Sequence, residues 1–382
     1  MSFDFDTVPD RRGTDSLKWH RYHGRDILPM WVADMDFQAP PCVLDALHAR
    51  VEHGVFGYAV APKELVELLV ARMARMYQWQ IEPEWIVWLP GLVPALNLAC
   101  RAFGDDGDEV LTFTPAYPPF LAAPPLSRRQ MKIVPLRREG TLWTFDLERF
   151  ESKLSARSRV LLLCSPHNPV GRRYEPDELR AVAEICLKHN IVICSDEIHC
   201  DLILDGGRHV PTATLGEEIA ANTITLMAPS KTFNVPGLNC AFAIIPNVDL
   251  RRPFKKAREG IVPGTNAVGY AAGLAAYRDG EPWRAALIEY LRRNSRLVYQ
   301  TINSEIPGLS MDEVQATYLA WIDTRQLGLA EPGRFFEQAG VGLSDGKGFK
   351  GPGFVRLNFG CPETTLREGL DRMKRAVDEP MR

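Results

Sequence analysis

The chain has 382 residues, of which 46% are hydrophobic and 24% are charged, and its formal net charge is −3. This length allows a large buried core, with one big domain and a smaller companion. A protein that binds nucleic acid or an anionic membrane favours a basic excess or a basic stripe, which this chain lacks. We therefore expect neither partner.

The N-terminal residues and the cysteines indicate a cytoplasmic protein. The first ten residues are acidic and lack the order of a signal peptide, and no apolar run approaches the ~20 residues of a membrane span. The eight cysteines are scattered, which is typical of buried thiols in a reducing compartment. No histidine or cysteine group has the spacing of a zinc site, so we expect no metal.

The first forty residues show little periodicity, which predicts an arm packed against another part of the protein. The middle of the chain alternates apolar runs with amphipathic stretches, as in a sheet covered by helices on both faces. Helices are predicted at Leu92–Phe103 and Pro176–Asn190. Strands rich in Val, Ile and Leu are predicted at Ile86–Leu89, Glu109–Phe113, Met131–Leu136, Arg159–Cys164, Ile191–Ser195, Thr223–Ala228 and Ala241–Ile245.

A separate α+β unit is predicted after about Glu281. Its elements are a helix at Pro282–Ser304, strands at Thr317–Asp323, Val341–Ser344 and Gly353–Phe359, and a last helix at Glu363–Val377. The predicted fold is therefore α/β, with a mostly parallel sheet between helices. We divide it into residues 1–47 (the arm and part of the small domain), 48–281 (the large domain) and 282–382 (the small domain).

Two turns that follow predicted strands suit a ligand. Open α/β sheets bind ligands beyond the carboxyl ends of their strands. Gly91 precedes a helix whose free N–H groups suit an anion, although such turns more often hold no ligand. After Cys164, a turn stiffened by prolines presents Asn168, which could equally be a simple turn cap.

Two charged residues follow the next strands. Asp196 needs a cationic or hydrogen-bonding partner because it follows an apolar strand. It could keep a heterocyclic nitrogen protonated or form a structural salt bridge. Lys231, between apolar residues, could be an amine nucleophile with a lowered pKa, whereas an isolated lysine is usually solvated. The four features together describe a pocket for pyridoxal 5′-phosphate (PLP).

Longer motifs strengthen this interpretation. Four segments resemble fold-type I PLP enzymes of the aminotransferase superfamily: Thr114–Phe120, Ser165–Gly171, Ser195–Asp201 and Ser230–Leu238. More narrowly, Met30–Phe37 and Gly54–Tyr58 resemble the cystathionine β-lyase branch typified by the MalY and PatB proteins. The resemblance runs from Phe5 to the last helix and implies a seven-stranded sheet in a large PLP-binding domain.

The resemblance implies roles around the cofactor ring. Lys231 is expected to form the Schiff base and to move the α-proton of the substrate. Asp196 is expected to pair with the pyridine nitrogen, and Asn168 to hydrogen-bond the ring hydroxyl. Tyr117 is expected to stack on the ring and to share in catalysis, with His199 beneath the ring as support.

The resemblance also implies how the phosphate is held. The backbone of Gly91, Leu92 and Val93 is expected to bind it, together with Ser230 and with Tyr58 from the neighbouring subunit. Tyr58 is also expected to take part in catalysis. Its role across subunits requires a homodimer.

The resemblance also implies a small-molecule amino-acid substrate, and we expect three residues to bind it. Arg356 matches the position that binds the substrate carboxylate, which a planar guanidinium binds in bidentate fashion; without the motif it would be ordinary surface. Trp31 and Asp34 of the arm are the other two. Many aminotransferases have a phosphate-binding arginine where this chain has Asn239. The lyase branch also departs from arginine at this position, which favours the lyase over the aminotransferase.

The implied reaction is C–S β-lyase chemistry. By α,β-elimination, L-cystathionine or a related cysteine S-conjugate would yield a thiol (homocysteine from cystathionine), pyruvate and ammonia. An aminotransferase on the same fold is the main alternative, because both reactions share their early steps. A regulatory protein that retains the PLP pocket and binds a partner is a third.

Overall fold

The computed structural model describes residues 3–379. Residues 1–2 and 380–382, the outermost parts of the predicted arm and small domain, lie outside the described residues. The α-helices are α1 (Leu17–His20), α2 (Pro41–His53), α3 (Lys63–Tyr77), α4 (Leu92–Ala102), α5 (Pro118–Leu126), α6 (Leu147–Ser152), α7 (Pro176–Lys188), α8 (Glu217–Ala221), α9 (Val248–Arg258), α10 (Ala267–Asp279), α11 (Glu281–Glu305), α12 (Pro332–Gln338) and α13 (Glu363–Asp378).

The strands form one large sheet and smaller ones. They are β1 (Leu28–Pro29), β2 (Ile86–Leu89), β3 (Glu109–Thr114), β4 (Gln130–Pro135), β5 (Arg137–Glu139), β6 (Leu142–Thr144), β7 (Ser158–Cys164), β8 (Val192–Asp196), β9 (Thr223–Met227), β10 (Ala241–Ile244), β11 (Ser310–Met311), β12 (Leu319–Asp323), β13 (Val341–Gly342), β14 (Ser344–Asp345) and β15 (Phe354–Asn358).

The large sheet has seven strands in the order β2-β10-β9-β8-β7-β3-β4. Strand β10 is antiparallel to both of its neighbours, and the other pairs are parallel. These are the seven strands predicted from the apolar runs, with bounds shifted by one residue at most, so the predicted α/β architecture is confirmed. The carboxyl ends of β2, β3, β7, β8 and β9 therefore meet at one edge.

Helices cover both faces of this sheet, and β7 shows why its sequence is apolar throughout. Side chains alternate between the two faces of a strand. Val160 and Leu162 pack in the core beneath α4 and α9, whereas Leu161 and Leu163 pack in the core beneath α7. Each face is dry, so no position in the middle of the strand suits a polar side chain.

The small domain contains α11, α13 and an antiparallel sheet in the order β11-β12-β15-β14. One prediction was wrong in detail: the strand expected at Val341–Ser344 is two short strands. Strand β13 pairs in parallel with β1 of the arm, and β14 pairs with β15. The arm is thus held by a strand pairing between residues far apart in sequence, which apolar periodicity cannot reveal.

The division into domains stays a prediction. The limit placed at residue 47 falls inside α2, which packs against α10 of the large domain. The limit at residue 281 coincides with the start of α11. None of the helices within residues 3–379 is long and apolar enough to cross a membrane.

Candidate active site

A cavity of about 260 Å³ lies where the carboxyl ends of the strands meet. It is the position at which open α/β sheets bind ligands. Nine of the residues predicted from sequence line this one cavity, and they are Gly91, Leu92, Val93, Tyr117, Asn168, Asp196, His199, Ser230 and Lys231. Tyr117 forms part of its wall, and burial raises the pKa of the Tyr117 phenol.

Lys231 follows β9 and points its amine into the cavity. Burial lowers the pKa of the Lys231 amine to about 8, against the opposing charges of Asp34 and Asp196. The Nζ atom donates a hydrogen bond to the backbone oxygen of Ala33 at 2.5 Å. A lysine with this pKa is partly neutral near pH 7, and only the neutral amine is a nucleophile.

Asp196 is the last residue of β8 and is 6% exposed. Burial raises the pKa of its carboxyl group to about 7, although Lys231 and a hydrogen bond from the Ile198 N–H lower it. No arginine or second lysine among residues 3–379 lines this cavity. A buried carboxylate in this position suits a cationic ring nitrogen, which would stabilise its charged form.

His199 has a neutral imidazole, and its Nδ1 atom has no hydrogen-bond partner among the described residues. Burial, together with the positive charges of Lys231 and Arg356, lowers the pKa of its imidazole to about 3. The Nδ1 atom is itself buried. Its ring packs edge-on against Tyr318. A neutral ring at this place can pack against a flat ligand without adding charge.

The N-terminus of α4 opens onto the same cavity. Gly91 caps this helix, and Leu92 and Val93 begin it, so their N–H groups have no partner within the helix. A Cβ atom on Gly91 would meet only Pro94 Cδ, at 3.7 Å, so packing within the chain does not require glycine here. Such N–H groups and the helix dipole favour an anion, and Ser230 adds a hydroxyl group.

Arg356 lies on β15 of the small domain and reaches the large domain. It is buried, which lowers the pKa of its guanidinium to about 10. Its Nη1 donates to Asn168 Oδ1 and its Nη2 to the backbone oxygen of Trp31, both at 2.8 Å. The Nε atom has no partner within the described residues. The guanidinium stands 4.7 Å from the centre of the Phe349 ring.

Two of the predicted substrate residues reach the site indirectly. Trp31 contacts Arg356 through its backbone oxygen, while its indole donates to the backbone oxygen of Lys18. Asp34 does not line the main cavity; its carboxylate is paired with Arg11 at 2.5 Å. The arm therefore lies beside the site, with the Trp31 indole and the Asp34 carboxylate bonded to other residues of the arm. Their roles in substrate binding stay predictions.

Tyr58 lies outside the cavity of its own chain. It is fully exposed, in a segment without helix or strand, beside residues 263–268. Apolar neighbours on the same surface are also exposed, including Val55, Phe56 and Val60. The predicted contact of Tyr58 with a phosphate in the neighbouring subunit stays a prediction.

Sequence analysis missed three residues that hold the arm in place. Asn234 donates to the backbone oxygens of Met35 and Phe37, and Asn358 donates to those of Val32 and Asp34. Tyr318 donates to the backbone oxygen of Ala33. Only Asn234, three residues after Lys231, gave a local signal; the other two become neighbours of the site through folding.

Residues 25–373 match the family model described as aminotransferase class I and II. The chain belongs to the aminotransferase class I and II family. The match covers both the sheet domain and most of the small domain, as expected for one continuous fold.

Individual relatives and solved structures are more specific than the family model. The chain is 38% identical to cystathionine beta-lyase PatB of Bacillus subtilis, over 98% of this chain and 100% of that protein. The crystal structure of OvoB matches with a TM-score of 0.97 and 46% identity, covering 99% and 100% of the two chains. Cystalysin from Treponema denticola, whose crystal structure contains PLP, matches with a TM-score of 0.96 and 33% identity over the whole of both chains.

We expect Lys231 to be the most reactive lysine of this family member near neutral pH. Acetylation by acetic anhydride should reach half its maximal rate near pH 8, because the neutral amine reacts and its pKa is about 8. Lysine in a model peptide has a pKa of about 10.4, and acetylation of such a peptide gives the reference profile. Mass spectrometry of each lysine over a pH series, on protein stripped of bound carbonyl compounds, measures both. A Lys231 profile that coincides with that of the peptide would contradict the assignment.

Proposed function

We propose that the chain is a PLP-dependent C–S β-lyase. It acts on L-cystathionine or related cysteine S-conjugates and forms a thiol, pyruvate and ammonia. The observation that carries the proposal is one cavity that holds a buried amine and a buried carboxylate, in a chain that matches a named cystathionine β-lyase from end to end.

The residues of the cavity fit PLP. Asp196 is a buried acid suited to a protonated ring nitrogen, and the neutral ring of His199 lines the same cavity. The N–H groups at the start of α4, with Ser230, would hold the phosphate. Lys231 would hold the aldehyde carbon. When bound, PLP supplies a carbonyl that condenses with amines and a ring that takes up the electrons of a Cα–H bond.

Arg356 would bind and orient the substrate carboxylate. Its guanidinium is already buried, and its Nε has no partner. Asn168 Oδ1 accepts from Nη1 and thereby fixes the plane of the guanidinium. A charged hydrogen bond in so dry a place is stronger than on the surface. The Cα–H bond of the substrate would then be directed towards the Lys231 amine.

Lys231 would move the proton. After the substrate amine has replaced Lys231 on the aldehyde carbon, the freed neutral amine of Lys231 would take the Cα proton as a general base. The Cβ–S bond then breaks and the sulfur leaves with the bonding electron pair as a thiolate, which takes up a proton. The remaining enamine is hydrolysed by water to pyruvate and ammonia. Atoms balance as one thioether and one water to one thiol, pyruvate and ammonia.

We also propose a homodimer in the cytoplasm, with Tyr58 completing the phosphate site of the partner subunit. The exposed apolar side chains around Tyr58 support this assembly, because a patch of this kind is costly in water. Residues 56–59 and 263–268 line one surface cavity, and a second copy of the chain could contact this surface.

Incubation with L-cystathionine should release pyruvate and free thiol in equal amounts. A lactate dehydrogenase assay and a thiol reagent measure the two products. Lys231→Ala should lower the rate at least about 100-fold, because it removes the general base. Amino transfer to an added keto acid without thiol release would identify an aminotransferase instead. Absence of turnover with every β-thio amino acid would sink the lyase proposal.

Arg356→Lys should lower kcat/KM about 100-fold, mainly through KM, because a lysine cannot replace a bidentate guanidinium. Steady-state kinetics with L-cystathionine measure it. Arg325→Lys is the matched control: this arginine is exposed and pairs with Asp323 away from the cavity, so its kinetics should not change. Equal effects of the two substitutions would argue against a substrate contact for Arg356.

Tyr58→Ala and Lys231→Ala together test the shared site. Each variant alone should have low activity, whereas a mixture refolded or co-expressed should regain about a quarter of the wild-type sites, because half of the dimers are mixed and each has one intact site. Light scattering checks that the protein is a dimer. If mixing restores nothing while both variants dimerise, Tyr58 acts within its own subunit or not at all.

A further inference from the structure

His167 lies between two turns of the reactive cavity. It precedes Asn168 in the turn after β7, and its side chain is buried. Its Nε2 atom lies 2.8 Å from the backbone oxygen of Pro115, in the turn after β3. Pro115 comes two residues before Tyr117 in the chain. The imidazole therefore connects the turn that presents Asn168 with the turn that presents Tyr117, the two residues expected to contact the cofactor ring.

The surroundings of this imidazole allow only one arrangement of its hydrogens. Burial lowers the pKa of His167 to about 4, although the hydrogen bond to Pro115 raises it, so the ring is neutral near neutral pH. A carbonyl oxygen can only accept a hydrogen bond, and Nε2 therefore donates to Pro115. Nδ1 is then the acceptor, and it lies 3.0 Å from the hydroxyl group of Tyr174, which donates. Both ring nitrogens are used within the chain.

Tyr174 is itself held in one position. Its ring stacks on Phe145, with 4.1 Å between the ring centres. On Tyr174 also packs the guanidinium of Arg172, 5.4 Å from the centre of the phenol ring. Arg172 in turn donates two hydrogen bonds to Glu178 of α7. The hydroxyl group that orients the imidazole is thus anchored in the core beneath α7.

The same two turns are tied to the small domain. The Ala116 N–H donates to the backbone oxygen of Phe349 at 2.9 Å, and the Phe349 ring packs against the Arg356 guanidinium. Arg356 donates to Asn168, which is the neighbour of the imidazole in the chain. These contacts form a closed circuit through both domains, and the hydrogen bond from the imidazole to Pro115 completes it.

We propose that His167 is a positioning residue of the PLP site, which holds the turn of Asn168 and the turn of Tyr117 at a fixed separation. Tyr174 fixes the orientation of the imidazole. This role rests on the proposed function, in which Asn168 and Tyr117 contact the cofactor ring and Arg356 binds the substrate. His167 does not line the cavity and acts through its neighbours. Misplacement of such groups by about 1 Å can lower a rate about 100-fold.

Filling of the core is the competing explanation for a buried histidine. In that case substitutions of His167 would lower the stability of the fold, and the molecules that remain folded would bind PLP and turn over as before. Two amide side chains separate the explanations. Glutamine can place its N–H near the position of Nε2 and donate to Pro115, whereas the amide of asparagine lies near the position of Nδ1 and is too short to reach that oxygen.

The experiment compares the wild type with His167→Asn, His167→Gln and Val182→Ala. Val182 is a fully buried residue of α7 in the same core as Tyr174, so its truncation lowers stability and leaves the circuit of contacts in place. His167→Asn should weaken PLP binding by the apo-protein about tenfold and lower kcat/KM for L-cystathionine about 100-fold. His167→Gln and Val182→Ala should stay within about threefold of the wild type in both. Thermal unfolding measures the stability of each variant.

Two spectroscopic measurements do not depend on turnover. The circular dichroism of bound PLP, in its visible absorption band, reports how firmly the protein fixes the ring. It should fall in His167→Asn and be preserved in His167→Gln. Nitrogen NMR of histidine-labelled protein near neutral pH should show a hydrogen on Nε2 of His167 and none on Nδ1. Tyr174→Phe should shift the Nδ1 resonance and lower the dichroism, because it removes the donor that orients the imidazole.

Equal losses in His167→Asn and His167→Gln, or no loss in either, would overturn the positioning role, as would a hydrogen on Nδ1. If His167→Asn does not fold, Tyr174→Phe replaces it, and an unchanged dichroism of bound PLP then contradicts the role. If no thioether is cleaved by the wild type while His167→Asn alone loses affinity for PLP, the proposed lyase activity fails and the positioning role stands.

Discussion

The active site depends on hydrogen bonds to backbone oxygens of the arm, in residues 31–37. This segment lies beyond β1 and belongs to no strand, so its carbonyl groups need other donors. Side chains supply them: six of these oxygens accept from Arg356, Ser344, Asn358, Lys231, Tyr318, Lys18, Asn234 and Arg11. An unpaired buried carbonyl costs about 1–3 kcal/mol, so the segment is strongly held in this path.

This arrangement joins the two domains at the reacting atoms. Lys231 and Asn234 come from the large domain, whereas Arg356 and Asn358 come from the small domain, and all four donate to the same segment. The amine and the guanidinium are therefore positioned relative to a common support. Catalysis of this kind requires reacting groups held at a fixed separation, so the proposed roles of Lys231 and Arg356 would depend on these hydrogen bonds to the arm.

Burial moves the two central pKa values towards each other. The pKa of Lys231 falls to about 8 and the pKa of Asp196 rises to about 7, so both groups titrate near neutral pH and do so as a coupled pair. A cationic ring nitrogen next to Asp196 would stabilise its carboxylate and restore a wide separation. A cationic ring nitrogen would thus favour the charged form of Asp196.

Sequence alone determined the large sheet and the residues at its strand ends. Apolar runs revealed the seven strands, because strands buried on both faces admit few polar residues, and Asp196 and Lys231 stood out as charges at their ends. Their convergence followed from parallel strands sharing one edge.

Only the tertiary structure decided which arm atoms face the site. Tyr318 and Asn358 have no local signal, since their partners are more than 280 residues away in sequence. Trp31 acts through its backbone, and Asp34 pairs with Arg11, because hydrogen bonds between distant segments set the path of the arm. Periodicity records which residues are buried along one element, and it holds no information about contacts of this kind.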